Sequence, residues 1–205
     1  RIFGAWVLAL MLAACGGDGD GKRSHPDGGA GDGDGDGPDA GDGDAGTMGP
    51  AEKRAWTFFV YGHGDHNLSN SLAGDMAEMA EAQLNASVHV VVLADFDARQ
   101  TIAGSDERFP TGAHLFTIAG GGQEPALLES AEELNFDDPE VLAASIAGVF
   151  TQFPSERRAL VLWDHGGSWN GGFGGDTQDG TAQPSPIAAP VLAAALQGRS
   201  AARAS

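Results

Sequence analysis

Three short apolar runs, each closed by polar residues or glycine, constrain the fold of this chain more than any other feature. The runs are WTFFVYG (56–62), SVHVVVLADF (87–96) and ALVLWDHGG (159–167). A nearly continuous apolar run of this length is typical of a strand buried on both faces, as in a parallel sheet. A fourth run, AHLFTIAGGG (113–122), predicts a shorter strand in an excursion between the second and the third.

Helical patterns separate these strands. Leucine and methionine recur at helical spacing across 69–84. A second helix is predicted to begin after Asp138, a capping residue followed by Pro139 at the first helical position, and to reach about Phe150. The order strand, helix, strand, helix, strand predicts an α/β fold, with a parallel sheet covered by helices on both faces.

The first fifteen residues have a different character. Ile2 to Ala14 is apolar throughout and would span only about 20 Å as a helix, which is short for a membrane span and typical of a secretion signal. Leu12 to Cys15 resembles the lipobox of bacterial lipoproteins. That resemblance implies a signal peptide over 1–14, lipidation of Cys15, and an exported protein anchored at the outer membrane or cell surface of a Gram-negative bacterium.

Residues 15–50 are predicted to be a disordered tether, because glycine and aspartate dominate and almost nothing apolar is present. Asp32, Asp34 and Asp36 imitate the start of a calcium loop, but Gly43 stands where the bidentate glutamate is expected. Calcium is therefore only a possible ligand, and no cofactor is certain. The remaining residues, 51–205, form the predicted folded domain.

Charge and cysteine content exclude several classes of function. The chain has 29 acidic and 11 basic residues, a net charge of −18 and one cysteine. An excess of acidic residues argues against a nucleic-acid partner, because phosphate binding needs clustered Lys and Arg. A single cysteine rules out both an internal disulfide framework and a cysteine-based zinc module.

Two polar clusters, 62–67 and 164–169, come directly after predicted strand ends. Ligands of an open parallel sheet bind beyond the carboxyl ends of its strands, so these clusters are the candidate site. Glycines beside a histidine permit close approach of a substrate and predict an imidazole exposed to solvent. His165 is the stronger candidate of the two clusters, because an Asp-His pair interrupts an apolar run there.

At these residues the sequence resembles the clostripain-like cysteine peptidases, which are relatives of caspases, gingipains and legumains. The most specific element is WDHGGSW (163–169), and WTFFVYGHGDHNL (56–68), with its Asp-x-Asn-Leu turn, corroborates it. The resemblance implies a caspase-like three-layer sandwich with a mostly parallel central sheet. It also implies hydrolysis of peptide or protein substrates, typically after basic residues, by a histidine and a cysteine on neighbouring strands.

The resemblance assigns residue roles as well. The catalytic histidine corresponds to His165, and the backbone N–H groups of Gly166 and Gly167 would stabilise the oxyanion. Asp164 would either orient His165 or hydrogen-bond the loop. No cysteine follows Thr181, and Cys15 belongs to the signal. We therefore expect 51–205 to be the N-terminal part of a peptidase domain, truncated after the strand that carries His165, inactive alone, and with that strand exposed at the sheet edge.

Two other functions fit parts of the sequence. His63, Asp65 and His66 follow a strand in a pattern similar to the metal motif of metallo-β-lactamases, with His165 as a possible distant ligand, although Tyr61 replaces the first histidine of that motif. The other alternative is a non-catalytic surface lipoprotein with a degenerate peptidase domain.

Overall fold

The structure, a computed structural model, describes residues 50–97, 108–131, 133–167, 171–175 and 186–197. Within these residues it contains five strands and three helices. In chain order they are β1 (Arg54–Gly64), α1 (Ser69–Glu81), β2 (Val88–Phe96), β3 (Gly112–Ile118), β4 (Ala126–Ser130), α2 (Pro139–Gln152), β5 (Ser155–Trp163) and α3 (Ala189–Leu196).

The five strands form one sheet in the order β4-β3-β2-β1-β5. β1 pairs in parallel with both β2 and β5, while β3 and β4 add an antiparallel extension at the far side. This topology confirms the α/β fold predicted from the apolar runs. Because Gly62 pairs with Trp163 in the parallel ladder, the carboxyl ends of β1 and β5 lie side by side at one edge of the sheet.

Apolar side chains of the sheet alternate between two cores, which gives the fold three layers. On one face, Val60, Val92 and Phe96 pack with Leu72 and Met76 of α1. On the other face, the fully buried residues of the sheet pack with α2 and α3, and they include Phe59, Tyr61, Val91 and Leu93. The Tyr61 ring stacks on Phe136 at 4.3 Å between centroids, and its hydroxyl donates to the Phe136 carbonyl oxygen at 3.3 Å.

β5 differs from the prediction in length and in burial. It begins at Ser155, before the apolar run, and it is the last strand of the sheet in the described part of the chain. None of its residues is fully buried, and Val161 keeps 41% of its surface exposed. The exposed edge agrees with the expectation for 159–163, whereas the interpretation of this run as a buried strand was wrong. The short strand β4 was missed, because ALLES has no strand alternation.

α1 packs very closely against β1 because glycine occupies positions 62 and 64. A Cβ atom on Gly62 would lie 2.9 Å from a Leu72 methyl carbon. On Gly64 it would lie 2.5 Å from the Asp95 carbonyl oxygen, which belongs to the neighbouring strand and has little freedom to move. The glycines therefore set the distance between the helix and the sheet directly below the polar cluster.

We expect Gly64→Ala to lower the free energy of unfolding by about 2–3 kcal/mol, because an inserted methyl group that meets backbone forces a shift of the strand. Gly74→Ala is the matched control, since Gly74 lies in α1 and an added Cβ there meets nothing within 4 Å. That control should gain about 0.5–1 kcal/mol from helix propensity. Urea unfolding of both variants tests the packing, and equal stabilities would contradict it.

His114 is a buried neutral histidine that joins β3 to β4. Its Nε2 lies 2.8 Å from the Thr111 carbonyl oxygen, which only accepts, so Nε2 carries the proton and Nδ1 accepts from the Ser130 hydroxyl at 2.9 Å. Burial lowers the pKa of His114, and burial likewise lowers the pKa of His89. Both side chains are packed within the sheet, at 7% and 4% exposure for His89 and His114.

These lowered pKa values predict acid lability. An unfolded histidine has a pKa near 6.5 and binds a proton before the folded one does, so stability falls as the pH drops below about 6.5 towards the folded pKa. His114→Gln keeps a donor and an acceptor but cannot titrate. Its unfolding free energy should depend less steeply on pH between 7 and 5, by up to about 1.4 kcal/mol per pH unit. If the unfolding free energy depends equally on pH in the variant and the wild type, His114 is not the source of the acid lability.

Several predicted features lie outside the described residues. They are the signal peptide and Cys15, the tether with its calcium-loop aspartates, and Ser168 and Trp169 of the second polar cluster. Within the described ranges, no helix combines the length and the apolar character needed to cross a membrane.

Candidate functional site

Two loops meet at the edge of the sheet where β1 and β5 end. The first runs from Asp65 to Leu68, and the second from Asp164 to Gly167. Because β1 and β5 are adjacent and parallel, polar side chains that follow the two strands come into direct contact. The sequence prediction that both clusters belong to one edge therefore agrees with the geometry.

His165 is exposed, and its ring is anchored on one side. Its Nε2 lies 3.1 Å from Oδ1 of Asn67, and its backbone N–H donates to Oδ1 of Asp164 at 2.6 Å. An amide oxygen only accepts hydrogen bonds, so this geometry places the imidazole proton on Nε2. Nδ1 is then the nitrogen with a lone pair, and it makes no hydrogen bond to any residue that the structure describes.

Asp164 joins three segments of the site through one carboxylate, whose side chain is only 2% exposed. Oδ1 accepts the backbone N–H of His165 and lies 2.9 Å from Nε2 of His66, while Oδ2 accepts the backbone N–H of Gly174 at 2.9 Å. Burial alone would raise the pKa of Asp164. Hydrogen bonding to His66 and to the backbone N–H of His165 outweighs burial and lowers that pKa.

His66 has a partner on both ring nitrogens. Its Nδ1 accepts the backbone N–H of Leu68 at 3.2 Å, which requires that Nδ1 carry no proton. The ring nitrogen that carries the proton is then Nε2, which lies 2.9 Å from Oδ1 of Asp164. The first loop thus presents a ring N–H to the Asp164 carboxylate.

His63 was predicted to be exposed, and this is wrong. β1 continues through Gly64, so the His63 side chain points into the domain and is fully buried. Its Nε2 lies 3.3 Å from Oδ1 of Asp137, and its ring meets Phe136 and Phe173 edge to face. Asp65 is also fully buried rather than placed in the open site.

The three imidazoles form a stack that runs from the interior to solvent. The His63 and His66 ring centroids are 5.2 Å apart with 24° between the planes. The His66 and His165 centroids are 5.4 Å apart with 23° between the planes. Two buried or nearly buried rings therefore lie beneath the exposed one.

The glycines of the second loop permit a tight approach to 171–175. Gly166 has a φ of 67°, and a Cβ on Gly167 would lie 2.5 Å from the backbone of Gly171. The N–H of Gly167 donates to the Gly172 carbonyl oxygen at 2.8 Å. This N–H is therefore occupied, which disagrees with the oxyanion role predicted for Gly167 and leaves Gly166 as the candidate donor of the pair.

A metal centre fits these residues poorly. Among the described residues, ligand atoms of His63, His66 and Asp164 lie within 4.8 Å of one another, a set that includes Asp164 in place of the predicted Asp65. A metal-bound histidine normally donates its other ring N–H. In His66 that other nitrogen, Nδ1, faces the backbone N–H of Leu68, so metal binding at Nε2 would bring two donors together.

Comparison with known proteins gives a family and a fold for the chain. The sequence profile of the clostripain family matches residues 60–183. A secreted cysteine protease from Bacteroides thetaiotaomicron, solved with an irreversible peptide inhibitor, has 20% identity and a TM-score of 0.55, over 71% of this chain and 40% of its own. A cysteine protease from B. fragilis has 24% identity and a TM-score of 0.46, over 56% of this chain and 92% of its own. No curated protein matches.

Proposed function

Because the chain belongs to the clostripain family, we propose that it is the histidine-bearing part of a cysteine endopeptidase whose nucleophilic cysteine lies on a later strand. The observation that carries the proposal is the exposed His165 imidazole at the carboxyl end of β5, with its Nε2 on Asn67 and its Nδ1 directed away from that bond. The match covers only 40% of the first neighbour's chain, which supports a longer functional protein.

His165 serves as the general acid and base. Its Nδ1 accepts the proton of the cysteine thiol, and the thiolate attacks the carbonyl carbon of the peptide bond. The imidazolium then returns the proton to the leaving amine as the C–N bond breaks, which leaves a thioester. Water, deprotonated by the same nitrogen, releases the acid and restores the thiol. In this proposal the backbone N–H of Gly166 donates to the oxyanion.

Substrate preference and cellular location are also part of the proposal. A protein with a net charge of −18 favours basic substrates, so cleavage after Arg or Lys is the expected preference. Export is supported by the apolar segment before Cys15, and the first structural neighbour is itself described as secreted. Lipidation of Cys15 would then hold the domain at the outer membrane or cell surface.

The test begins with the genomic sequence after the codon for Ser205, read in all three frames. We expect an apolar strand that ends in Asp-x-Cys, and we expect the extended polypeptide to hydrolyse a fluorogenic peptide that contains arginine. Residues 51–205 alone should give no turnover. An extended polypeptide that folds and contains that cysteine, yet cleaves no basic peptide, would favour the non-catalytic lipoprotein instead.

A further inference from the structure

His66 is held more firmly than its neighbours in the first loop. Its Nδ1 accepts from Leu68 at 3.2 Å, its Nε2 lies 2.9 Å from Asp164, and its side chain is 10% exposed. Rotation about χ2 would break the Nδ1 hydrogen bond and move Nε2 away from the carboxylate, so the ring is restrained on both sides. The buried His63 ring, stacked 5.2 Å away, supports its inner face.

His165 has few restraints of its own. Its ring makes a single hydrogen bond within the described residues, to the exposed Asn67, and Gly166 and Gly167 follow it in the chain. A single bond to an exposed side chain leaves the imidazole free to turn around that bond. The outer face of the His66 ring lies 5.4 Å away and nearly parallel, and it offers the His165 ring a rigid surface to pack against.

We propose that His66 is a positioning residue, whose fixed ring keeps the His165 imidazole turned with Nε2 on Asn67 and Nδ1 towards the incoming thiol. The reason for this orientation rests on the proposed function. The orientation of the His165 ring itself can be measured without any catalysis. His66 touches neither substrate nor thiol in this account and acts only through His165. Asp164 contributes from the other side, because the same carboxylate holds His66 and the backbone of His165.

The test is NMR spectroscopy of the histidine rings in the chain as it stands, at alkaline pH where imidazoles are neutral. In the wild type, the ring nitrogens of His165 should report one tautomer with the proton on Nε2, and the ring should show contacts to the Asn67 amide. His66→Ala removes the ring and should lose those contacts and average the two nitrogen signals.

His114→Gln is the control for general destabilisation, since His114 lies in β3 and has its partners at Thr111 and Ser130. Its His165 signals should match the wild type. The proposal is overturned if His66→Ala leaves the His165 signals unchanged, or if the His114 control loses them as well.

Activity of the extended polypeptide separates this inference from the proposed function. There, His66→Ala should lower kcat about tenfold or more with KM nearly unchanged, because a misplaced general base weakens the transition state and not substrate binding. If the extended polypeptide has no activity, the proposed function fails, while the ring orientation is still decided by the NMR result. If it is active and His66→Ala lowers KM and kcat together, or neither, the positioning role is wrong.

Discussion

Replacing His165 by alanine in the extended, cysteine-containing polypeptide should reduce kcat for an arginine peptide by about 10³-fold, because one imidazole supplies both the base and the acid of the reaction. The ring is exposed, and it contributes no buried contact to either core. The melting temperature should therefore stay within about 2 °C of the wild type. Steady-state hydrolysis and a thermal melt on the same preparation measure both quantities.

The matched control is Gly74→Ala, which lies in α1 with nothing near its added Cβ and should keep full activity. A His165→Ala protein that retained a tenth or more of the wild-type kcat would mean that another group moves the proton. A large loss of activity together with a large loss of stability would mean that the residue acts through the fold, contrary to its exposure.

The second large effect concerns Asp164. Alanine at this position would leave the Nε2–H of His66 and the N–H groups of His165 and Gly174 without their acceptor. Because the carboxylate is buried and accepts three donors, we expect the free energy of unfolding to fall by about 2–4 kcal/mol. Urea denaturation at neutral pH gives the difference directly.

The pH dependence of Asp164 provides its own check. The folded pKa is depressed, so the carboxylate contributes stability above the unfolded pKa of about 3.9, and this contribution is lost as the pH falls through the lower, folded value. Wild type and Asp164→Ala should therefore converge in stability in strong acid. Glu156→Gln, on the exposed start of β5, is the control and should change stability by less than about 0.5 kcal/mol. If Asp164→Ala also lowers the free energy of unfolding by less than about 0.5 kcal/mol, the Asp164 carboxylate does not stabilise the three N–H groups around it.

Much of the fold could be read from the sequence because its parallel strands need continuous apolar runs. β2 and the helix that begins at Pro139 lie where hydrophobic pattern and capping residue predict them, and Asp138 does accept the N–H of Glu140. β5 was harder. Glu156, Arg157 and Arg158 lie in the strand but face solvent, so the apolar run reported only its second half.

The site was predictable in its location and less so in its details. Strand order alone brings the loops after β1 and β5 together, which is why His165 and Asp164 could be proposed from the sequence. The burial of His63 depends on where β1 ends, and strand ends are poorly marked when glycines alternate with polar residues. The contacts of His66 and Asp137 were harder still to predict. His66 lies against Asp164, and Asp137 lies against His63, so each partner is far away in the sequence.

The most direct test of the central claim is the rate at which iodoacetamide alkylates the nucleophilic cysteine of the extended polypeptide at neutral pH. Only the thiolate reacts, so the rate reports whether His165 removes the thiol proton. The account predicts that His165→Ala slows alkylation about tenfold or more, while Gly74→Ala leaves the rate unchanged. Equal rates in wild type and His165→Ala would show that this imidazole does not serve the thiol.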